Sequence, residues 1–211
     1  MPHYQFPCNY VYWEKLSEHE KLKSEILPVI KNIKNTTELK NPFASCQFTT
    51  NFNYKNTMEK FLSNEQINSI IWKPIDNMIK EINETYNFKI STQDSIVQTY
   101  WFNYYEKGDF QEAHNHRNAS IRINDKTYHA SFSVIYIIND ENDESSTTFT
   151  AFTDSFPPFL PPHISPAFKT SSISDIKEGC VIIFPSTLSH HVDPIKVGGR
   201  ITMAFNIYST Y

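Results

Sequence analysis

A chain of 211 residues suffices for one sizeable core with a flanking helical layer and is short for two independent ones, so a single domain over 1–211 is expected: a helical and mixed flank over 1–92 and a β core over 93–211. A formal net charge of -4, with Lys, Asp and Glu interspersed, gives no basic stripe to track phosphates and argues against a nucleic-acid partner. No apolar run reaches the length of a bilayer span, MPHYQFPCNY lacks a secretion signal's layout, and Cys8, Cys46 and Cys180 form no close pair; the expectation is a cytoplasmic protein with reduced thiols and no membrane partner.

Ser17 and Glu20 form a capping-box pattern ahead of Leu22, Ile26, Ile30 and Ile33, which predicts an amphipathic helix over 17–34, kinked or shortened by Pro28. Ser63 with Gln66 repeats the signal before Ile67, Ile70, Ile71, Ile75, Met78, Ile79 and Ile82, a longer helix interrupted near Pro74. Its apolar stripe needs a partner surface. From about residue 96 the texture turns to short runs rich in aromatic and β-branched residues, IVQTYWFNYY, ASFSVIYII, TTFTAF, CVIIF and RITMAFNIY, the pattern of an all-β sandwich or barrel. Between them lie loops at 117–128, at the acidic 139–146 and at the proline-rich 154–165, and long loops in a compact domain are usually functional.

His114 and His116 stand two apart at the end of a strand segment, where alternation points both imidazoles to one side. Downstream, Gly179 opens the apolar strand CVIIF, and Pro185, His190, His191, a Val-Asp-Pro turn, Gly198, Gly199 and Arg200 lead into the strand ITMAFNIY. His190 supplies a third imidazole. Three neutral imidazoles with open positions suit a divalent metal such as Fe(II), with Zn, Ni, Cu and Mn as competitors that ligand type does not exclude. Gly108, Gly179 and Gly199 sit beside these residues, out of only four glycines in the chain, which marks them as places where backbone geometry demands glycine. His3, His19, His129 and His163 lack such company and read as surface or hydrogen-bonded core residues.

Over roughly residues 96–208 the sequence resembles the 2-oxoglutarate and Fe(II)-dependent oxygenases, particularly their prolyl-hydroxylase-like branch. In that branch a Tyr-x-x-Gly turn leads after five residues into His-x-Asp; Tyr105, Gly108, His114 and His116 hold those positions, with a histidine for the aspartate. SVIYIINDEN resembles the next strand, and Ser145, Ser146, Thr147, Thr148 and Phe149 stand in for a Gly-Gly-x-Thr-x-Phe turn. The distal part matches best, because Pro194, Gly198 and Arg200 lie four, eight and ten residues after His190, while counting from His191 loses both the proline and the basic residue. The resemblance implies a double-stranded β-helix and a dioxygenase that hydroxylates a C–H bond and releases succinate and CO2. It implies Fe(II) on His114, His116 and His190, with 2-oxoglutarate, and ascorbate as an auxiliary. Arg200 would grip the distal carboxylate through two parallel hydrogen bonds, joined by Thr202, Tyr105 and Asn206, since Ile137 occupies the place of the tyrosine many relatives use.

The same residues also resemble a cupin: Gly108, five residues and His-x-His open one motif, and Gly179, Pro185 and His190 a second. Ala119, Ser120 and Ile121 stand where that family places a glutamate ligand, and Pro194 where it places asparagine. That alternative is a three-His metal protein that does not use 2-oxoglutarate, on the same fold. For the substrate, Arg117 and Arg122 in the 117–128 loop and the aromatic, proline-rich 156–163 segment border the expected opening, and would clamp a peptide or close over a small molecule. The prolyl-hydroxylase resemblance favours a protein or peptide with a prolyl site.

Overall fold

The computed structural model of the chain describes residues 10–36, 48–49, 62–86, 94–142, 147–150 and 167–210. Its elements, in chain order, are β1 (Tyr12–Lys15), α1 (His19–Thr36), β2 (Phe48–Thr49), α2 (Asn64–Ile67), a π-turn at Asn68–Trp72, α3 (Lys73–Tyr86), β3 (Ser95–Glu106), β4 (Gln111–His114), β5 (Ser120–Ile123), β6 (Lys126–Asn139), β7 (Thr147–Thr150), β8 (Ala167–Lys169), β9 (Cys180–Pro185), β10 (Ser189–Val192) and β11 (Gly198–Ser209). A large sheet runs β1-β9-β6-β11-β3-β2 with β5 beside β6, and a small one runs β4-β10-β7-β8. The two antiparallel sheets pack face to face as a double-stranded β-helix, the mainly-β jelly roll with flanking helices that the sequence implies.

Alternation along β11 explains both faces of the large sheet. Ile201, Met203, Phe205 and Ile207 turn outward into a core with Leu22, Ile26 and Ile30 of α1 and Ile70, Ile71, Ile75 and Met78 of the second helical segment. Each fully buried isoleucine contributes about 1.5–3 kcal/mol, so this layer holds the helices to the sheet. The inner face packs Ile135, Ile137, Ile182 and Phe184 of the large sheet against Phe149 of the small one. Arg200, Thr202 and Asn206 also turn inward, and they are buried. Polar side chains at three of the four inward positions from 200 to 206, Ala204 being the exception, are costly in a plain core and mark a site.

The helix signals hold with shifts that have physical causes. Ser63 and Gln66 form the expected capping box: Gln66 N donates to Ser63 Oγ at 3.1 Å and Ser63 N to Gln66 Oε1 at 2.9 Å. Pro74 has no N–H to offer the preceding turn, and the π-turn directly before it lets the helix continue. In α1, Pro28 lies on the exposed face, where water can satisfy the carbonyl it leaves bare, and the helix runs past it. The start at Ser17 moves to His19, whose ring is buried with Nδ1 2.9 Å from the Tyr136 hydroxyl.

The expected loop at 117–128 is instead mostly a hairpin of β5 and β6. Asn124 (φ 47°) and Asp125 (φ 64°) form its two-residue turn, left-handed at both positions as a primed turn requires. Cys8, Cys46, His3, His163, Ser145, Ser146 and the 156–163 segment lie outside the described residues. Among the described residues no helix is long and apolar enough to cross a membrane.

Candidate metal and keto-acid site

His190 lies at the middle of the small sheet, paired with His114 of β4 on one side and Phe149 of β7 on the other. His116 follows β4, and its backbone N donates to Ser186 O at 2.8 Å, tying the chain to the turn between β9 and β10. The ring centroids of His114 and His190 are 4.3 Å apart, and that of His116 is 5.4 Å from each. One nitrogen from each lies within 4.8 Å of the others, so the structure brings together the three histidines singled out in the sequence. No Asp or Glu joins the cluster among the described residues.

Hydrogen bonding selects which nitrogen each ring offers. His114 Nδ1 is 2.7 Å from Glu112 O and His190 Nδ1 is 3.2 Å from Leu188 O; carbonyls only accept, so both rings carry their proton on Nδ1. His116 Nδ1 is 2.6 Å from Asn206 Oδ1, with the same consequence. Three Nε2 lone pairs remain, the donor set a divalent metal takes. Burial disfavours the charged imidazolium at His116, lowering its pKa to about 4, and His190 is held well below its ordinary value by burial and then by His114. Both stay neutral and ready to ligate at physiological pH. Phe184, 4.8 Å from the His190 ring, and Trp101, 5.6 Å from that of His116, wall the cluster with apolar surface.

Arg200 begins the inner row of β11 and is 2% exposed. One Nη donates to Thr147 Oγ1 at 3.1 Å across the two sheets, and the face of Tyr105 lies 5.3 Å from its guanidinium carbon. Its Nε and other Nη have no partner among the described residues. The adjoining hairpin end depends on Gly198 (φ +101°), where a Cβ would come within 2.9 Å of the Lys107 backbone N. That close approach seats Arg200 opposite Tyr105.

Thr202 is buried one step along the row, between Asn103 of β3 and Ile137 of β6. The Tyr105 hydroxyl donates to Gln111 Oε1 at 3.1 Å, so its ring rather than its proton serves Arg200. Asn206 stands at the metal end, against His116. Arg117 directly follows the cluster and is exposed, whereas Arg122 sits at the hairpin tip, 3.0 Å from Asp125. His191 points the other way from His190 and pairs with Asp193 at 3.3 Å.

Sequence reasoning missed Asn103, whose buried Oδ1 has no partner among the described residues, and Trp101. Their signal was the alternation Trp101, Asn103, Tyr105 within one strand, an inward row with an amide in an aromatic run.

A family model described as "Putative 2OG-Fe(II) oxygenase" matches residues 99–206. No curated protein matches the chain in sequence. In fold, the chain is similar to AviO1 from Streptomyces viridochromogenes Tue57, with 10% identity and a TM-score of 0.54 over 95% of this chain and 90% of that one. It is also similar to a prolyl hydroxylase from Trichoplax adhaerens in complex with a hypoxia inducible factor oxygen degradation domain peptide fragment, with 13% identity and a TM-score of 0.51 over 94% and 84%. Against a 2OG-Fe(II) oxygenase family protein from Burkholderia pseudomallei (14% identity, TM-score 0.41, 69% of this chain), the chain spans 56% of that protein's length.

Proposed function

The chain belongs to the 2OG-Fe(II) oxygenase family, and from that premise we propose that it hydroxylates a C–H bond of a prolyl residue in a peptide, with His114, His116 and His190 holding Fe(II) and Arg200 and Thr202 holding 2-oxoglutarate. The observation that carries this reading is Arg200. A guanidinium buried to 2% exposure needs an anion, yet among the described residues its hydrogen-bond acceptor is the neutral Thr147 hydroxyl and two of its nitrogens remain unpartnered. A carboxylate arriving in the pocket would supply both the charge and the acceptors.

Placement supports the same ligand. On β7, Thr147 beside Arg200 is two residues from Phe149, the register partner of His190, a step of about 7 Å along the strand. That interval suits a five-carbon keto acid whose far carboxylate rests on Arg200 and whose near end reaches the imidazoles. When bound, Fe(II) and 2-oxoglutarate supply oxygen activation coupled to decarboxylation of the keto acid to succinate and CO2. The chain's own residues orient and enclose: three Nδ1–H bonds fix the imidazoles, Tyr105 holds the guanidinium in place, and Phe149, Phe184, Ile135 and Ile137 exclude water.

The prolyl substrate is supported by the offsets from His190 through Pro194, Gly198 and Arg200, and by exposed Arg117 beside the cluster, where a peptide would pass. The cupin alternative leaves Arg200 without a counter-ion. The test is anaerobic addition of Fe(II), then 2-oxoglutarate, to metal-stripped protein. A visible charge-transfer band that saturates is expected, followed by succinate release with proline-containing peptides. Metal binding without a band would defeat the keto-acid role, and a band without peptide-stimulated succinate would defeat the substrate.

A further inference from the structure

Behind His116 lies a closed polar network that ordinary core packing does not require. Asn206 Oδ1 is 2.6 Å from His116 Nδ1 and 3.1 Å from Ser133 Oγ, and Ser133 Oγ is 3.0 Å from both His116 Nδ1 and Ser186 Oγ. Asn206 is 6% exposed, and Ser133 and Ser186 are 1% exposed each, so these three partners of His116 are buried. Two potential donors, the imidazole Nδ1–H and the Ser133 hydroxyl, converge on one amide oxygen, which fixes the direction of the network. With the amide reversed, the imidazole proton would move to Nε2 and point an N–H at the lone pairs of His114 and His190.

The charge inventory is unusual. An aspartate would fit where Asn206 stands, since the two side chains are isosteric, yet the chain places a neutral amide there. The ligand cluster is three neutral imidazoles with no carboxylate among the described residues, and the facing cation, Arg200, is met there by the Thr147 hydroxyl and the Tyr105 ring, both uncharged. Once a dication enters, the pocket has two cationic centres and no fixed negative charge from these groups. The dianion of the keto acid would be their counter-charge.

On the reading of the site given above, we propose that Asn206 is the positioning residue of the metal centre. It holds His116 in its Nδ1–H form with Nε2 turned to the cluster, and its neutrality makes the metal and the keto-acid dianion each strengthen retention of the other. Linkage requires the coupling to be reciprocal.

The experiment is calorimetric titration of Mn(II) into metal-stripped full-length protein, with and without saturating 2-oxoglutarate. In the wild type the keto acid should tighten Mn(II) about 10-fold or more. Asn206→Leu should weaken Mn(II) by about 10–100-fold under both conditions, the usual range for losing a partner behind a ligating imidazole. Asn206→Asp, which keeps the shape and adds the missing charge, should tighten Mn(II) about 10-fold without the keto acid and shrink the gain the keto acid brings. If Asn206→Leu does not fold, the isosteric variant decides alone. Failure of the wild type to form the Fe(II) and 2-oxoglutarate band would remove the cofactor reading and the coupling with it. A normal wild-type band with unchanged Mn(II) affinity in the variants would overturn only the role of Asn206.

Discussion

His190 and His191 are neighbours of identical chemistry, and strand alternation gives them opposite surroundings. His190 is 4% exposed between Phe149 and Phe184, while His191 faces Asp193 on the outer side of the small sheet. His190→Ala is therefore expected to abolish stoichiometric metal uptake, and His191→Ala to leave it intact, by elemental analysis of reconstituted protein. The reverse result would move the whole distal register by one residue and carry Arg200 out of its role.

His116 makes a second prediction at this scale, for the metal-free protein. Its folded pKa of about 4 lies below the ordinary imidazole value of 6.5 because burial opposes the charged form. Between those values the unfolded chain binds a proton that the folded chain refuses, so stability rises with pH across the window. The contribution is fully present above about pH 6.5 and is lost as pH falls toward 4, amounting to about 3 kcal/mol. Urea midpoints of the wild type should fall over this window more steeply than those of His116→Gln. Parallel profiles would show that the imidazole protonates without resistance in the folded state.

At the scale of elements, α1 is tied to the barrel through His19, whose Nδ1 meets the Tyr136 hydroxyl of β6 and whose ring covers Gly179 just before β9. Gly179 has φ +89°, and a Cβ there would lie 2.9 Å from His19 Cγ. Gly179→Ala should cost about 3 kcal/mol through backbone strain and crowding together. In a His19→Ala background the crowding disappears, so the double mutant should be less than additive by about 1 kcal/mol in denaturant unfolding. Strict additivity would mean that the ring swings aside without cost.

Much of this layer was legible in the sequence, for reasons that also mark where legibility stops. β3, β6, β9 and β11 announce themselves because long strands covered on both faces read as apolar, β-branched runs. β1, β2, β4 and β8 hold only two to four residues, too few for alternation to show, and their pairing partners decide them. The β5–β6 turn was hidden because Asn124-Asp125 lacks the glycine that usually announces a primed turn. The three histidines and Arg200 were recoverable because their offsets match those of the family the sequence resembles. The sequence grouped Asn206 and Tyr105 with Arg200, but did not show the neighbours they meet: His116 for one, Gln111 and the Arg200 face for the other. The Asn206–His116 contact joins β11 to the segment after β4, 90 residues away in the chain, where linear distance carries no information.

At the scale of the molecule, the site spans the seam between the sheets. Arg200 belongs to the large sheet and His114 and His190 to the small one, and the Arg200–Thr147 hydrogen bond already bridges them. A ligand held at both ends would tie the sheets together and has no matching site in the unfolded chain. Saturation at about 100 times the dissociation constant then stabilises the fold by about 2.7 kcal/mol. For a chain of this size that corresponds to about 5–10 °C in melting temperature. Metal with 2-oxoglutarate should raise the melting point by more than the sum of the two added singly, because each cationic centre gains from the dianion the other has recruited. Arg200→Ala should keep the shift produced by metal alone and lose most of the increment from the keto acid, since truncating one partner of a buried charge pair costs about 2–5 kcal/mol of binding. An undiminished increment in that variant would place the distal carboxylate elsewhere and leave the buried guanidinium as a strut between the sheets.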